Sequence, residues 1–93
     1  MKAQKKPVII DFFDIEIESR ETIDNLQKWV ESFGDEFEKH FELDSEGHYL
    51  KVKTLEGTSY DVSSADMILR GVSGEYYPCK KDIFEKTYNV INE

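Results

Sequence analysis

Residues 19–34 carry the pattern that most narrows the fold. Ile23, Leu26, Val30 and Phe33 recur at i, i+3, i+7 and i+10, one face of a 3.6-residue repeat, with Trp29 at its edge. Ser19 or Thr22 offers a cap, and Glu21 and Asp24 sit near the positive end of the helix dipole. The helix is expected to run to about Ser32, with Gly34 as a left-handed stop. The other apolar runs are short and bounded by turn residues, as in strands, so this chain has one long helix to lay on a sheet.

The strands follow from composition and alternation. PVIIDFF at 7–13 is β-branched and aromatic, with Pro7 at a permitted first position, and predicts a largely buried strand. IEIES at 15–19 either extends it or leads irregularly into the helix. In 35–48, Phe37 and Phe41 are four apart and suit one more helical turn, while Ser45-Glu46-Gly47 is turn chemistry. YLKVKTL at 49–55 alternates and returns through Glu56-Gly57 as TSYDV at 58–62, an antiparallel hairpin. MILRGV at 67–72 is expected as the third strand of the same sheet, followed by a Ser73-Gly74 turn and a short β segment, Glu75-Tyr76-Tyr77, ended by Pro78. Residues 82–86 form a helical turn. Residues 87–91 either continue it, with Ile83, Phe84, Thr87, Tyr88 and Ile91 on one face, or make an edge strand beside the first. The fold expected is a single α+β domain over 1–93: a small, mostly antiparallel β-sheet packed against one main α-helix, with a short C-terminal helical turn. At 93 residues and 39% hydrophobic, the chain holds enough apolar mass for one core.

The formal net charge of -8 is unevenly placed. Residues 11–48 hold thirteen Asp and Glu against three Lys and Arg, residues 1–10 hold three Lys and no acid, and 49–93 are nearly balanced. An acidic face repels phosphate backbones and attracts basic surfaces, which argues against direct nucleic-acid binding there. The apolar run Val8-Ile9-Ile10 stops at Asp11, too short for a signal segment or a membrane span, and a single cysteine forms no internal disulfide. A cytoplasmic protein is expected.

Patterns for catalysis are weak. Cys79 precedes Lys80 and Lys81, which would lower a thiol pKa, but no orienting third group accompanies it, so a structural cysteine is the stronger reading. Glu36, His40 and Asp44 share a spacing of four, which acidic helices produce often, and no metal is expected. The sequence lacks a Walker loop and a dinucleotide fingerprint, and no cofactor is expected. Two surfaces remain. Glu31, Asp35, Glu36, Glu38, Glu42 and Asp44 offer carboxylates that mimic a nucleic-acid backbone and compete for a basic groove. Alternatively, Arg70, Tyr76, Tyr77 and Lys80 combine cationic and stacking groups near two glycines, as a nucleotide or anion site would.

KKPVIIDFF near the start, KTLEG at 53–57 and RGVSGEYYPCKKDIFEKTY at 70–88 resemble a family of small phage and prophage proteins. The likeness covers residues 49–90 well and 2–10 moderately, while the acidic middle diverges. Where that family has Pro-Gly-Asp-Tyr, this chain has Ser64-Ala65-Asp66-Met67, and Lys81 stands in place of a proline before Asp82. The resemblance implies a phage or prophage origin, a bacterial host cell and one small domain, and it carries over no catalytic role. The expectation is a non-enzymatic binding protein: an acidic inhibitor of a host protein such as a nucleic-acid-dependent defence nuclease. The alternative is a module sequestering a small nucleotide signal.

Overall fold

A computed structural model describes residues 1–4, 8–15, 20–43, 50–54, 57 and 59–91. The order is β1 (Asp11–Asp14), α1 (Arg20–Glu31), α2 (Phe37–His40), β2 (Phe41–Leu43), β3 (Leu50–Lys53), β4 (Ser59–Val62), β5 (Asp66–Arg70), β6 (Tyr76–Lys80) and α3 (Lys81–Thr87). The fold is α+β, as the sequence predicts, with all strand pairs antiparallel. The strands form two small sheets, however, ordered β1-β5-β6 and β2-β3-β4, where one was expected. The hairpin β3–β4 is in place, but the MILRGV strand does not join it. Met67, Ile68 and Leu69 are all buried, which requires cover on both faces. The hairpin sheet exposes most of β4 and cannot supply that cover. β5 therefore runs between β1 and β6, with Ile68 facing one apolar cluster and Met67 and Leu69 another.

The larger cluster lies among α1, both sheets and α2. It holds Leu26, Val30, Phe37, Phe41, Val52, Ile68 and Tyr76, with Ile23 and Trp29 packed against it. The helical face read from the sequence is thus the buried face. α1 ends where Gly34, at φ +84°, turns the chain and donates its N–H to the Glu31 carbonyl at 2.9 Å. The smaller cluster lies beneath α3 and joins Met67, Leu69 and Phe84 to Ile10, Phe12, Tyr77, Cys79 and Tyr88.

Four further expectations are corrected. Strand β1 begins at Asp11, because β5 ends at Arg70 opposite it and residues 8–10 have no strand beside them among the described residues. The one further helical turn is present as α2, but it ends at His40, and Phe41 opens β2 instead of lying in the turn. Strand β6 does not stop at Pro78 but continues to Lys80. The Gly71 N–H to Glu75 C=O and Lys81 N–H to Ala65 C=O bonds, 2.8 and 2.9 Å, fix the register. In that register the nitrogen of Pro78 faces the open edge, where a missing N–H costs no ladder bond. At the C-terminus, α3 stops at Thr87 and residues 88–91 are neither helix nor strand. Phe84 is buried, but Ile83 is 53% exposed and Ile91 is also outside the core. Residues 5–7, 16–19, 44–49, 55–56, 58 and 92–93, which include Pro7, Ser19, the turn at 45–47 and part of the hairpin loop, lie outside the described residues.

Two ion pairs, one of them on the buried Asp66, fasten the β1-β5-β6 sheet. Asp66, 3% exposed, accepts the Ser63 N–H at 2.9 Å and pairs with Lys80 at 3.1 Å, which locks the turn entering β5. Lys81 reaches from the start of α3 to Asp14 at 2.6 Å and to the Ile15 carbonyl at 3.0 Å, tying helix to first strand. Truncating Leu26 to Ala should cost about 2–5 kcal/mol in urea unfolding, through lost burial and a residual cavity. Ile83→Ala should stay within about 0.5 kcal/mol of the parent, since an exposed side chain has little packing to lose.

Candidate functional site

The acidic residues follow one continuous stretch of chain. Glu31 closes α1, Asp35 and Glu36 lie in the turn before α2, Glu38 is in α2 and Glu42 in β2. Asp44 lies outside the described residues. Glu31, Glu36, Glu38 and Glu42 are exposed. Glu36 pairs with Lys39 at 3.6 Å and Glu42 with Lys53 at 3.5 Å, while Glu31 and Glu38 make no ion pair with another described residue. Exposed pairs of this kind are weak and leave the carboxylates open to exchange partners.

Asp35 differs from these. Its side chain is 27% exposed and accepts a 2.7 Å hydrogen bond from the Tyr76 hydroxyl. Arg70 Nε lies 3.5 Å from the same carboxylate oxygen, and the guanidinium sits over the Phe33 ring at 4.4 Å and near the Tyr76 ring at 5.9 Å. The Tyr76 ring is flanked by His40 at 4.8 Å, Phe41 at 5.5 Å and Trp29 at 5.9 Å between centroids. Residues assigned from the sequence to two separate surfaces thus meet in one internal junction. Nothing in the sequence signals this, because Asp35 and Tyr76 are 41 positions apart.

The four residues of the alternative ligand set are not gathered. Tyr76 is 1% exposed and its faces are taken by the chain's own aromatic groups. Tyr77, the next residue of the strand, points to the opposite face and packs in the α3 cluster. Burial, followed by its bond with Tyr88, pushes the Tyr77 phenol up to about 12. Lys80 is exposed but engages Asp66. Arg70 keeps partial exposure beside Asp35. The glycines shape the β5–β6 hairpin instead: Gly74 adopts φ +80°, and the Glu75 carboxylate occupies the space a side chain at Gly71 would need. That carboxylate also accepts the Ser73 N–H at 3.0 Å.

Cys79 lies in β6 before α3, half-buried. Burial, then Asp66 and Asp82, push its thiol up, opposite to the effect expected of the adjoining lysines. Among the described residues no group of three His, Cys, Asp or Glu is arranged to hold a metal ion. None of their helices is long and apolar enough to cross a membrane. The fold and site define a small α+β protein with exposed glutamates along the stretch from the end of α1 to β2. Compared with known families, curated proteins and solved structures, the chain matches none.

The junction links stability to pH. The Tyr76 hydrogen bond, aided by the charges of Arg70 and His40 against the opposing effect of burial, holds Asp35 below its usual 3.8. The resulting stabilisation is complete above 3.8 and is lost as pH falls through the lower folded value. Burial, then the bond to Asp35, pushes the Tyr76 phenol from 10.0 up to about 12, so its contribution is complete below 10 and fades as pH rises toward 12. Tyr76→Phe keeps the ring and removes the donor. It should lower stability at neutral pH by about 1.5–3 kcal/mol, and urea unfolding at a series of pH values should show a shallower loss at both the acid and the alkaline ends.

Proposed function

We propose that this chain is a non-enzymatic binding protein that engages a basic surface of another protein through Glu31, Glu36, Glu38 and Glu42, acting as an acidic inhibitor. The observation that carries this reading is the contrast between the two candidate surfaces. The glutamates stand exposed along one stretch from the end of α1 to β2, whereas Tyr76 and Arg70 are occupied by Asp35 and neighbouring rings. An exposed row of carboxylates on a folded support attracts a cationic groove and competes with the polyanion that the groove normally holds. Asp35 belongs to this stretch by position, and its contribution is to anchor the turn that displays Glu36. The resemblance of 70–88 to small phage and prophage proteins extends the proposal to a phage-encoded inhibitor acting inside a bacterial host cell, with a nucleic-acid-dependent defence nuclease as the target class.

The binding test begins with capture from a bacterial lysate and proceeds to titration of the captured protein. Reversing Glu31, Glu36 and Glu38 to Lys together should weaken binding at least about tenfold and flatten its salt dependence, since each reversal removes an attractive charge and adds a repulsive one. Nucleic acid added as competitor should displace the parent chain. Unchanged affinity and salt dependence in a reversed variant with a normal circular dichroism spectrum would refute the acidic interface. A chain that captures no protein but is stabilised against heat by a nucleotide would favour the sequestering alternative.

A further inference from the structure

Strand β1 is paired on one side only among the described residues, and its N-terminal extension outruns the sheet. β5 ends at Arg70 opposite Asp11, so Val8, Ile9 and Ile10 continue past the last paired residue. Val8 is half exposed and Ile9 is 81% exposed. The orientation of the free edge follows from the ladder. The Ile15 N–H reaches the Asp66 carbonyl, so the odd-numbered residues of β1 bond to β5. The N–H and C=O groups of Phe12 and Asp14 therefore point to the open edge, and those of Val8 and Ile10 do so where the strand is prolonged. Such an edge is a template for another strand unless something blunts it.

The sequence of that strand is complementary to itself when reversed. Alternate residues read Val8, Ile10, Phe12, an apolar row symmetric about Ile10. We infer that the edge of β1 is the site of self-association, in which two copies pair antiparallel about a twofold axis at Ile10. In this register Val8 of one copy meets Phe12 of the other, Ile10 meets Ile10, and Ile9 meets Asp11. Shifting the two-fold to Asp11 would instead set two aspartates against each other, which disfavours that register. Ile10 and Phe12 already pack in the cluster beneath α3, so the pairing would carry that apolar layer across the axis and join two three-stranded sheets into one of six. The contact is narrow, in the range of weak and concentration-dependent associations.

Sedimentation of the full chain tests this. At about 100 µM a species of twice the 10.9 kDa chain mass is expected, returning to monomer on dilution to about 1 µM. Ile9→Asp places a charge against Asp11 of the second copy at an exposed position. It should abolish the dimer while leaving the melting temperature of the monomer unchanged. The register is read by mixing Ile9→Cys chains with Asp11→Cys chains, each also carrying Cys79→Ser. These directly opposed positions fall within disulfide reach, so the mixture should cross-link at least about tenfold faster than either variant alone. A monomer at about 100 µM, a dimer that survives Ile9→Asp, or equal cross-linking in the mixed and separate samples would each overturn the proposal.

Discussion

The hydrogen bond from Tyr76 to Asp35 is the constraint on which the arrangement of layers depends. Tyr76 rises from the β1-β5-β6 sheet into the main core, where its ring meets α1 through Trp29, α2 through His40 and β2 through Phe41. A phenol buried there must find an acceptor, and the turn after α1 supplies one. Arg70, one strand over, neutralises the acceptor and lies on Phe33 from the same turn. One side chain thereby sets the distance between the two sheets and fixes the turn leading from the main helix to the acidic segment.

Strand β5 is the other organising element, for a different reason. It is apolar at every central position and is covered on both faces, by the main core on one and by α3 on the other. The polar groups nearest its ends are committed: Asp66 to its turn and to Lys80, Arg70 to Asp35. Position matters more than residue type here. Proline is tolerated in β6 because its nitrogen faces the edge, and cysteine in the same strand has a raised pKa because it sits against the α3 cluster beside two carboxylates.

The legible parts of this fold were local. The face of α1, its stop at Gly34, the β3–β4 hairpin and the turn between β5 and β6 each rest on residues within twelve positions of one another, where periodicity and turn chemistry act. The division into two sheets was not legible, because it depends on which strand β5 pairs with, and its apolar run suits any partner that covers both faces. The same limit applied to the site. The exposed glutamates were visible as a charge excess, but the capture of Asp35 by Tyr76 and Arg70 joins the turn after α1 to the distant β5–β6 hairpin. Alternation also separates Tyr76 from Tyr77, a consequence that the word "tyrosine-rich" conceals until both are placed in a strand.

Pairing of β1 with β5 has a consequence for synthesis of the chain. Asp11 is opposite Arg70, so β1 leaves the ribosome more than fifty residues ahead of the segment it pairs with. At ordinary translation speeds that interval lasts about 3–11 s. Throughout it a β-branched and aromatic strand has neither its neighbour nor the helix that covers it. The lysines at 2, 5 and 6 flank this segment on one side and Asp11 interrupts it, so charge is the chief protection against premature pairing during that interval. The N-terminal charges thus bear on the nascent chain as well as on the folded one, and a nonlocal strand pairing late in synthesis makes the completed domain a slow folder for its size.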